Sequence, residues 1–247
     1  YPNPNWLKYA VSYLIQKKAD VVGGPGIPFP KQNYAEKISY LSKRSYFVTG
    51  YLNFRKYKSK QRYCDWLEAC NLIMERKFFL KYGGMDNKRY TGEDSEFFQR
   101  MQKKDADLKV FYSPDLFIHH KERRMFGFFL QRFVFGLDLL NLLKFNSGFA
   151  GLQPLLPILI FMSFLILLSS EIELVSKVTI VSTLVLLINT AILFDVTKYI
   201  KSFKTQIFVL FTINIANIAF ALGSVITFTG LRRFIVNKIY LYSRNRK

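Results

Sequence analysis

Cysteine is scarce in this chain, which holds only Cys64 and Cys70 among its 247 residues. Two cysteines cannot form a disulfide framework, and they cannot supply the four ligands of a structural zinc site. The pair is typical of a protein in a reducing compartment, where we expect both thiols to be buried. Internal repeats and low-complexity tracts are absent, and we expect no signal peptide.

Acidic residues are scarce as well, with 17 Asp and Glu against 36 Lys and Arg, and the formal net charge is +19. A basic balance of this size indicates an anionic partner, which is nucleic acid, anionic membrane lipid or a phosphorylated substrate. Recognisable RNA-binding and DNA-binding signatures are absent, so we expect no nucleic acid partner. Apolar runs after residue 150 favour lipid and phosphate instead.

Those apolar runs predict a membrane region over residues 150–247, with two or three hydrophobic helices and a basic tail. Two runs, Leu152–Ser169 and Leu174–Phe194, are joined by a short loop and indicate a helical hairpin. A third candidate is Ile207–Thr229. Polar residues and glycines weaken it as a span, namely Asn214, Asn217, Gly223 and Gly230.

Charge placement predicts the orientation of this region, because cytoplasmic loops carry an excess of Lys and Arg. The basic residues 1–149 are then cytoplasmic, and the loop that contains Glu171 and Glu173 is outside. A third full span would leave the basic tail outside, which conflicts with the same rule, so a re-entrant or interfacial segment is favoured. That tail contains Arg232, Arg233, Lys238, Arg244, Arg246 and Lys247. The segment between the second and third apolar runs is predicted to lie inside, and it contains Lys198, Lys201 and Lys204.

Residues 1–121 alternate short apolar runs with helical periods, which predicts an α/β domain. Short strands are expected within Asp20–Gly26, where the strand ends in a glycine-rich turn, and at Leu72–Met74 and Leu108–Tyr112. The stretch from Tyr34 to Lys60 mixes aromatic residues with lysines, and most of its charges are expected to be solvated. A helix is expected over Leu7–Lys18, with an apolar face made of Leu7, Ala10, Val11, Leu14 and Ile15.

Residues 122–149 are predicted to form an interfacial amphipathic helix. The central part of this segment, Met125–Phe145, is apolar and contains three charged residues, Arg132, Asp138 and Lys144. Such a helix lies along a membrane surface and does not cross it.

An acidic pair stands at the centre of the chain, after a Gly83-Gly84 turn that requires positive φ or a close backbone approach. Thr91 followed by Asp94 reads as a capping box in front of an apolar-spaced helix. Glu93 and Asp94 then lie in the first helical turn, where the helix dipole favours their ionised forms. The two acids either cap the helix or serve a reaction.

His119 and His120 follow an expected strand, where adjacent side chains point to opposite faces. Only one of them can easily serve a given site, and the sequence does not decide which. Two histidines beside Lys121, Arg123 and Arg124 suit a phosphate or metal role, and a structural role is an equal alternative.

Taken together in order and spacing, these motifs resemble those of membrane-bound family 2 glycosyltransferases. The resemblance covers roughly residues 1–145 by motif and the remaining residues by architecture alone. It rests on Cys70-Asn71 with Arg76, on Gly83-Gly84-Met85-Asp86, on Gly92-Glu93-Asp94 with Arg100, on His119-His120 and on Gln131 to Gly136.

The resemblance implies a GT-A, Rossmann-like domain on the cytoplasmic side of the cell membrane, followed by interfacial and multi-pass transmembrane helices. It implies an inverting hexosyltransferase-like enzyme that uses a nucleotide-sugar donor and a divalent metal, Mg²⁺ or Mn²⁺. The acceptor would be a lipid-linked or cell-envelope glycan. Asp94 matches the general base, and Glu93 would orient the site or the acceptor.

Further roles follow from the same resemblance. His119 or His120 would contact the metal or the donor diphosphate. Gln131 and Arg132 stand roughly where processive synthases carry Gln-x-x-Arg-Trp, but the Arg-Trp is absent, so processive synthesis is not expected. Arg132, with Arg123 and Arg124, would neutralise the leaving nucleoside diphosphate. The acceptor side or a nearby loop would hold Gly83, Gly84, Asp86 and Arg100.

The sequence departs from the family's pattern at the expected metal site. In this family a Pro-x-Pro-x-Trp-Leu run follows the Asp-x-Asp pair that holds the metal, and here that run begins at Pro2. The metal aspartates and the N-terminal, nucleotide-binding half of the protein are therefore expected upstream of Tyr1, and the chain alone is expected to be inactive. The alternative reading is a membrane-anchored basic protein that binds anionic lipid without catalysis.

Overall fold

The computed structural model describes residues 1–86, 91–140, 155–229, 231–232, 234–236 and 238–239. The chain divides into two compact units. The first contains Tyr1–Tyr40 and Tyr51–Glu122, and the second contains Leu41–Gly50 and the described residues from Arg123 onward. Several predicted positions lie outside the described residues, namely Tyr90, 141–149 of the expected interfacial helix, 152–154 of the first expected span, Gly230, Arg233, Arg244, Arg246 and Lys247.

The first unit contains a mixed four-stranded sheet and a separate pair of strands. Strand β1 (Val21–Gly23) is parallel to β5 (Val110–Tyr112) and antiparallel to β4 (Leu72–Met74), and β3 (Arg62–Tyr63) pairs antiparallel with β5. Strands β2 (Gly26–Pro28) and β6 (Ile118–His120) form the parallel pair. The three strands predicted from apolar runs are therefore confirmed, although β4 is only half-buried.

Helix α1 (Trp6–Gln16) packs against β1. The next helices along the chain are α2 (Tyr34–Arg44), α3 (Tyr46–Thr49), α4 (Arg76–Lys81) and α5 (Glu93–Lys104), with short 3-10 segments at Gly50–Lys56, Ala69–Asn71 and Pro114–Leu116. The end of α2 and all of α3 belong to the second unit. The largest core of the first unit collects aromatic and aliphatic side chains from α5, β5 and the 3-10 segment before β3. Its buried members include Phe54, Leu67, Phe97, Met101 and Tyr112.

Helix α1 confirms the predicted helix and part of its predicted face. Ala10 and Leu14 pack in the core, whereas Leu7 and Ile15 are 61% and 72% exposed. The rest of the packed face is aromatic, because the rings of Trp6, Tyr9 and Tyr13 lie in the same core. Tyr13 also donates a hydrogen bond to Asp115.

The second unit is helical. Besides α3, its described helices are α6 (Met125–Leu137), α7 (Leu156–Ser169), α8 (Leu174–Thr197) and α9 (Phe203–Thr227). Helices α8 and α9 are long and apolar enough to cross a membrane. Since α9 is one continuous helix of 25 residues, it does not turn back as a re-entrant segment would, and the interfacial alternative stays a prediction.

Helix α6 packs along α9 at very short range. A Cβ built on Gly136 would stand 2.1 Å from the carbonyl oxygen of Phe220, and a Cβ built on Gly223 would stand 2.1 Å from the carbonyl oxygen of Phe133. Thr227 adds hydrogen bonds from its hydroxyl to the carbonyls of Gly136 and Leu137. Two backbones can approach this closely only where both helices present glycine.

Candidate functional site

Asp94 lies in the first turn of α5, as its sequence position predicted, but the helix does not begin with the predicted capping box. Its N-cap is Gly92 in the left-handed conformation, with φ of 68°, and no side chain caps the helix. The predicted capping box with Thr91 as N-cap is therefore wrong. Asp94 Oδ1 accepts a hydrogen bond from the amide of Ser95 (2.8 Å), and Oδ2 accepts one from the amide of Ala69 (3.3 Å).

Arg55 and a second carboxylate, Glu68, lie near Asp94, and Lys56 pairs with Glu68. Lys56 Nζ is 2.6 Å from Glu68 Oε1, and Arg55 Nη2 is 4.0 Å from the same oxygen. Arg55 and Glu68 both interact electrostatically with Asp94. The 3-10 segments Gly50–Lys56 and Ala69–Asn71 carry or adjoin these residues, so two short turns bring the charges to the start of α5.

The pKa of Asp94 is raised above the usual value of an aspartate, and burial is the largest cause. The nearby carboxylates Glu93 and Glu68 raise it further, whereas the positive charge of Arg55 and the amide of Ser95 lower it. The helix N-terminus was expected to favour the ionised form, but the cost of desolvation exceeds that help. A carboxyl with a raised pKa is suited to accept a proton near neutral pH.

Arg55 was not predicted as a site residue, because the charges of its stretch were expected to be solvated. It is only 5% exposed, so that expectation is wrong for this side chain. Its guanidinium carbon lies 3.8 Å from the centre of the Trp66 ring, and its Nε donates to the carbonyl of Leu52. Among the described residues, Nη1 of Arg55 has no hydrogen-bond partner.

The two histidines occupy different environments on β6. His119 Nδ1 lies 2.7 Å from the carbonyl oxygen of Pro28, and its ring packs near Phe29 and Phe117. His120 is exposed, and a Cβ built on Gly26 would lie 3.7 Å from its Cβ and 3.8 Å from Glu68 Oε2. His120 is therefore the histidine on the side of the charged cluster, a distinction that the sequence left open.

The Gly83-Gly84 turn has the predicted positive φ, at 80° and 64°. Arg100 holds this turn, because its guanidinium donates to the carbonyls of Tyr82 and Gly84 while it pairs with Glu96 at 2.7 Å. These contacts give Arg100 a structural role at the turn. Asp86 is half-buried just after the turn.

Gln131 and Arg132, which were expected near the donor diphosphate, have their described surroundings in the second unit. Arg132 donates to the carbonyl of Val48 and to Asn217 Oδ1, and its guanidinium lies over the Phe220 ring. Arg132 therefore joins α6 to α9 and to the segment after α2. Arg123 and Arg124 are exposed at the start of α6.

The described residues do not form a metal site. Within the described ranges, no three His, Cys, Asp or Glu side chains come together in a way that would hold a metal ion.

Asp105 and Asp107 form an Asp-x-Asp pair that was not predicted from the sequence. It lies at the opposite end of α5 from Asp94, about 16 Å away at 1.5 Å per residue, where Asp105 accepts a hydrogen bond from Tyr82.

The expectation of two buried thiols is wrong for Cys70, which is exposed, whereas Cys64 is half-buried. Burial raises the pKa of Cys64 to about 12. A thiol with that pKa is not a nucleophile near neutral pH.

Comparison of the chain with protein-family models, with curated proteins and with solved structures found no match.

Proposed function

We propose that this chain carries the base and the acceptor side of an inverting glycosyltransferase, with Asp94 as the general base. The observation that supports the proposal most directly is the setting of Asp94. It is a half-buried carboxylate with a raised pKa, next to a buried arginine and a second carboxylate, at the start of a helix. The resemblance to family 2 glycosyltransferases adds the reaction class.

In the proposed reaction, Asp94 takes the proton of an acceptor hydroxyl while that oxygen attacks the anomeric carbon of a nucleotide sugar. The bond between that carbon and the diphosphate breaks, and the configuration inverts. The amides of Ala69 and Ser95 hold the carboxylate in place, and Arg55 favours its ionised form. Glu93 lies beside it in the same helical turn and would orient the acceptor.

Mg²⁺ or Mn²⁺ remains part of the proposal for the intact enzyme, but the described residues provide no ligand set for it. Of the residues that the resemblance places near the diphosphate, His120 has the better position, because His119 contacts the carbonyl of Pro28.

We further propose that the protein is a multi-pass membrane enzyme whose first unit faces the cytoplasm. Helices α8 and α9 supply the length and apolar character that crossing requires. The loop between α7 and α8, with Glu171 and Glu173, would lie outside, and the basic residues Lys198, Lys201 and Lys204 would lie inside. A membrane location suits a lipid-linked or cell-envelope glycan acceptor.

The test is sugar transfer from a panel of nucleotide sugars to membrane glycolipids, with Mg²⁺ or Mn²⁺, in membranes that contain the intact enzyme, including the nucleotide-binding half that the resemblance implies. Asp94→Asn keeps the shape of the side chain but removes the base, so we expect transfer to fall by about 10²- to 10⁴-fold. The matched control is Asp107→Asn, which makes the same change of charge on an exposed side chain beyond the other end of α5. Transfer that survives Asp94→Asn at the level of the control would exclude Asp94 as the base.

The alternative function is lipid binding by a membrane-anchored basic protein without catalysis. The net charge of +19 beside two helices that are long enough to span a membrane favours it. This function predicts binding of the protein in neutral nanodiscs to anionic vesicles. The binding would weaken steeply with salt and would be unaffected by Asp94→Asn. Such binding together with an absence of transfer would favour this alternative.

A further inference from the structure

The end of α2 and the start of α3 are fastened to the turn that joins α8 to α9. Asp195, near the end of α8, accepts hydrogen bonds from the Ser45 hydroxyl (2.8 Å) and from the Tyr46 amide (2.9 Å). In the turn itself, the Tyr199 hydroxyl donates to the carbonyl of Leu41 (3.1 Å). All of these residues belong to the second unit. Two segments that are 150 positions apart in the sequence therefore lie together where two long apolar helices meet.

This attachment holds Arg44, the last residue of α2, against the same turn. Its guanidinium carbon lies 4.5 Å from the centre of the Tyr199 ring, and the residue is half-buried. Lys198 and Lys201, on either side of Tyr199 in the chain, are exposed. A guanidinium that lies over a ring loses little further freedom when it binds, and its planar fork of N–H donors matches two oxygens of a phosphate. Arg44 is therefore placed to bind a phosphate group beside the two lysines.

The charges of these two segments are almost all positive. Residues 41–50 and residues 194–204 together hold five cations and one acid, which is a net charge of +4. The acid is Asp195, which already accepts two hydrogen bonds from residues 45 and 46 and lies 3.8 Å from Lys198 Nζ. Cations that are gathered in this way repel one another, and a bound anion relieves the repulsion. The five cations are Lys43, Arg44, Lys198, Lys201 and Lys204.

Exposed aromatic rings lie on the same segments as the cations. Phe194 and Phe203, on either side of the turn, are 69% and 71% exposed, and Tyr46 is 44% exposed. Rings of this kind beside lysines are typical of the level where a bilayer meets water, which is also the level of the lipid phosphates. The turn joins the two helices that are long and apolar enough to cross a membrane. The anion that fits this setting is therefore the phosphate of a lipid.

We propose that the turn between α8 and α9, together with the end of α2, is a binding site for an anionic phospholipid. Arg44 contacts the lipid phosphate, and Lys198 and Lys201 add positive charge beside it. This site rests on the membrane location proposed above and is independent of catalysis. It differs from a general attraction between a basic protein and a negative membrane, because one guanidinium is held in position by Tyr199. A lipid that binds only the folded protein stabilises it.

The experiment is thermal unfolding of the protein in micelles of a neutral detergent, at constant ionic strength, followed by helical circular dichroism. Three probes are titrated separately. Phosphatidylglycerol is the anionic lipid, phosphatidylcholine is the lipid without net charge, and glycerol 3-phosphate is the soluble phosphate. We expect phosphatidylglycerol to raise the melting temperature until the site is saturated, and the other two probes to leave it unchanged.

Two variants should weaken this lipid binding. Arg44→Gln should raise the half-saturating amount of phosphatidylglycerol about fivefold, which is the effect of one cation near a lipid headgroup. Tyr199→Leu changes no charge, but it removes the ring beside Arg44 and the hydrogen bond to Leu41, so it should weaken binding to a similar extent. Arg44→Lys keeps the charge but loses the planar fork, and it serves if Tyr199→Leu does not fold.

The matched control is Arg62→Gln, which removes the same charge from the first unit. Arg62 is exposed on β3, and its guanidinium also lies over an aromatic ring, that of Phe54, at 4.7 Å. This variant therefore loses the same kind of side-chain contact as Arg44→Gln. We expect it to bind phosphatidylglycerol like the wild type.

Equal weakening in Arg44→Gln and Arg62→Gln would overturn the proposal, because net charge alone would then attract the lipid. So would the absence of a saturable effect of phosphatidylglycerol, or an equal effect of glycerol 3-phosphate, which would make the ligand a soluble phosphate. Extraction of membranes at alkaline pH tests the membrane location separately. A protein that resists extraction but does not respond to phosphatidylglycerol rejects the lipid site alone, whereas a protein that is released rejects the membrane location as well.

Discussion

The carboxyl of Asp94 links activity and stability to pH in opposite directions. Its pKa is raised in the folded protein, so the folded state holds the proton more tightly than the unfolded state does. The contribution of this group to stability is therefore fully present at low pH and is lost as pH rises through the raised pKa. Activity behaves in the reverse way, because a base must be ionised.

This linkage predicts that Asp94→Asn raises the melting temperature near neutral pH while it abolishes transfer. The asparagine is not ionised, so the cost of burying the charge disappears. The difference from the wild type should vanish below the ordinary pKa of an aspartate, which is about 3.9. Thermal unfolding in detergent at several pH values measures this effect, and a variant that melts below the wild type at pH 7 would contradict it.

The residues of the candidate site differ in how far the sequence could predict them. Glu93 and Asp94 follow a glycine turn and precede a helical period, so local patterns place them in a first helical turn. Arg55 lies 39 positions away in a stretch without a clear period. Its burial depends on the stack with Trp66 and on a 3-10 turn, which are tertiary contacts that local propensity does not encode.

For helices, the sequence predicts the extent of the helix better than it predicts which face is packed. The period of α1 predicted its extent within two residues, but only part of the predicted face is packed. Three aromatic residues that the prediction left out join Ala10 and Leu14 in the core. Gly223 was read as a weakness of a membrane span, yet in the fold it permits the contact between α6 and α9. Sequence periodicity indicates which residues share a face, and only the packing partner decides which face is buried.

The contact between α6 and α9 predicts a strong and selective response to small substitutions. Gly136→Ala and Gly223→Ala each place a methyl group about 2 Å from a backbone oxygen of the other helix, which the backbones can relieve only by separating. Each should lower the free energy of unfolding by about 1–3 kcal/mol or more. Thermal or denaturant unfolding in detergent, followed by helical circular dichroism, measures the loss.

Gly127→Ala is the matched control on the same helix. A Cβ there would meet Arg123 Cβ at 3.5 Å, which is an ordinary contact, so higher helix propensity should make the variant neutral or more stable by up to about 1 kcal/mol. Equal losses at positions 127, 136 and 223 would show that the close crossing does not exist.

Across the chain, a basic N-terminal part and an apolar C-terminal part could be predicted from composition alone. The structure adds that Leu41–Gly50 belongs to the apolar unit, where Asp195 of α8 accepts hydrogen bonds from the Ser45 hydroxyl and the Tyr46 amide. A contact over 149 positions has no local signature. The segment 122–149 was predicted to form an interfacial helix along a membrane surface, and its described residues include α6, which packs on α9.

The membrane location of the second unit can be tested by placing a lysine at two different depths along α8. Leu186 is exposed at the middle of α8, so Leu186→Lys would place an ammonium group near the centre of the bilayer, at a cost of about 2.5–3.5 kcal/mol. Val175→Lys makes a comparable change on an exposed residue in the first turn of α8, where the side chain can reach the interface. We expect Leu186→Lys to reduce the protein that resists extraction of membranes at alkaline pH, and Val175→Lys to leave it unchanged. If both variants and the wild type are released by high salt alone, the helices do not cross the membrane, and basic charge alone holds the protein there.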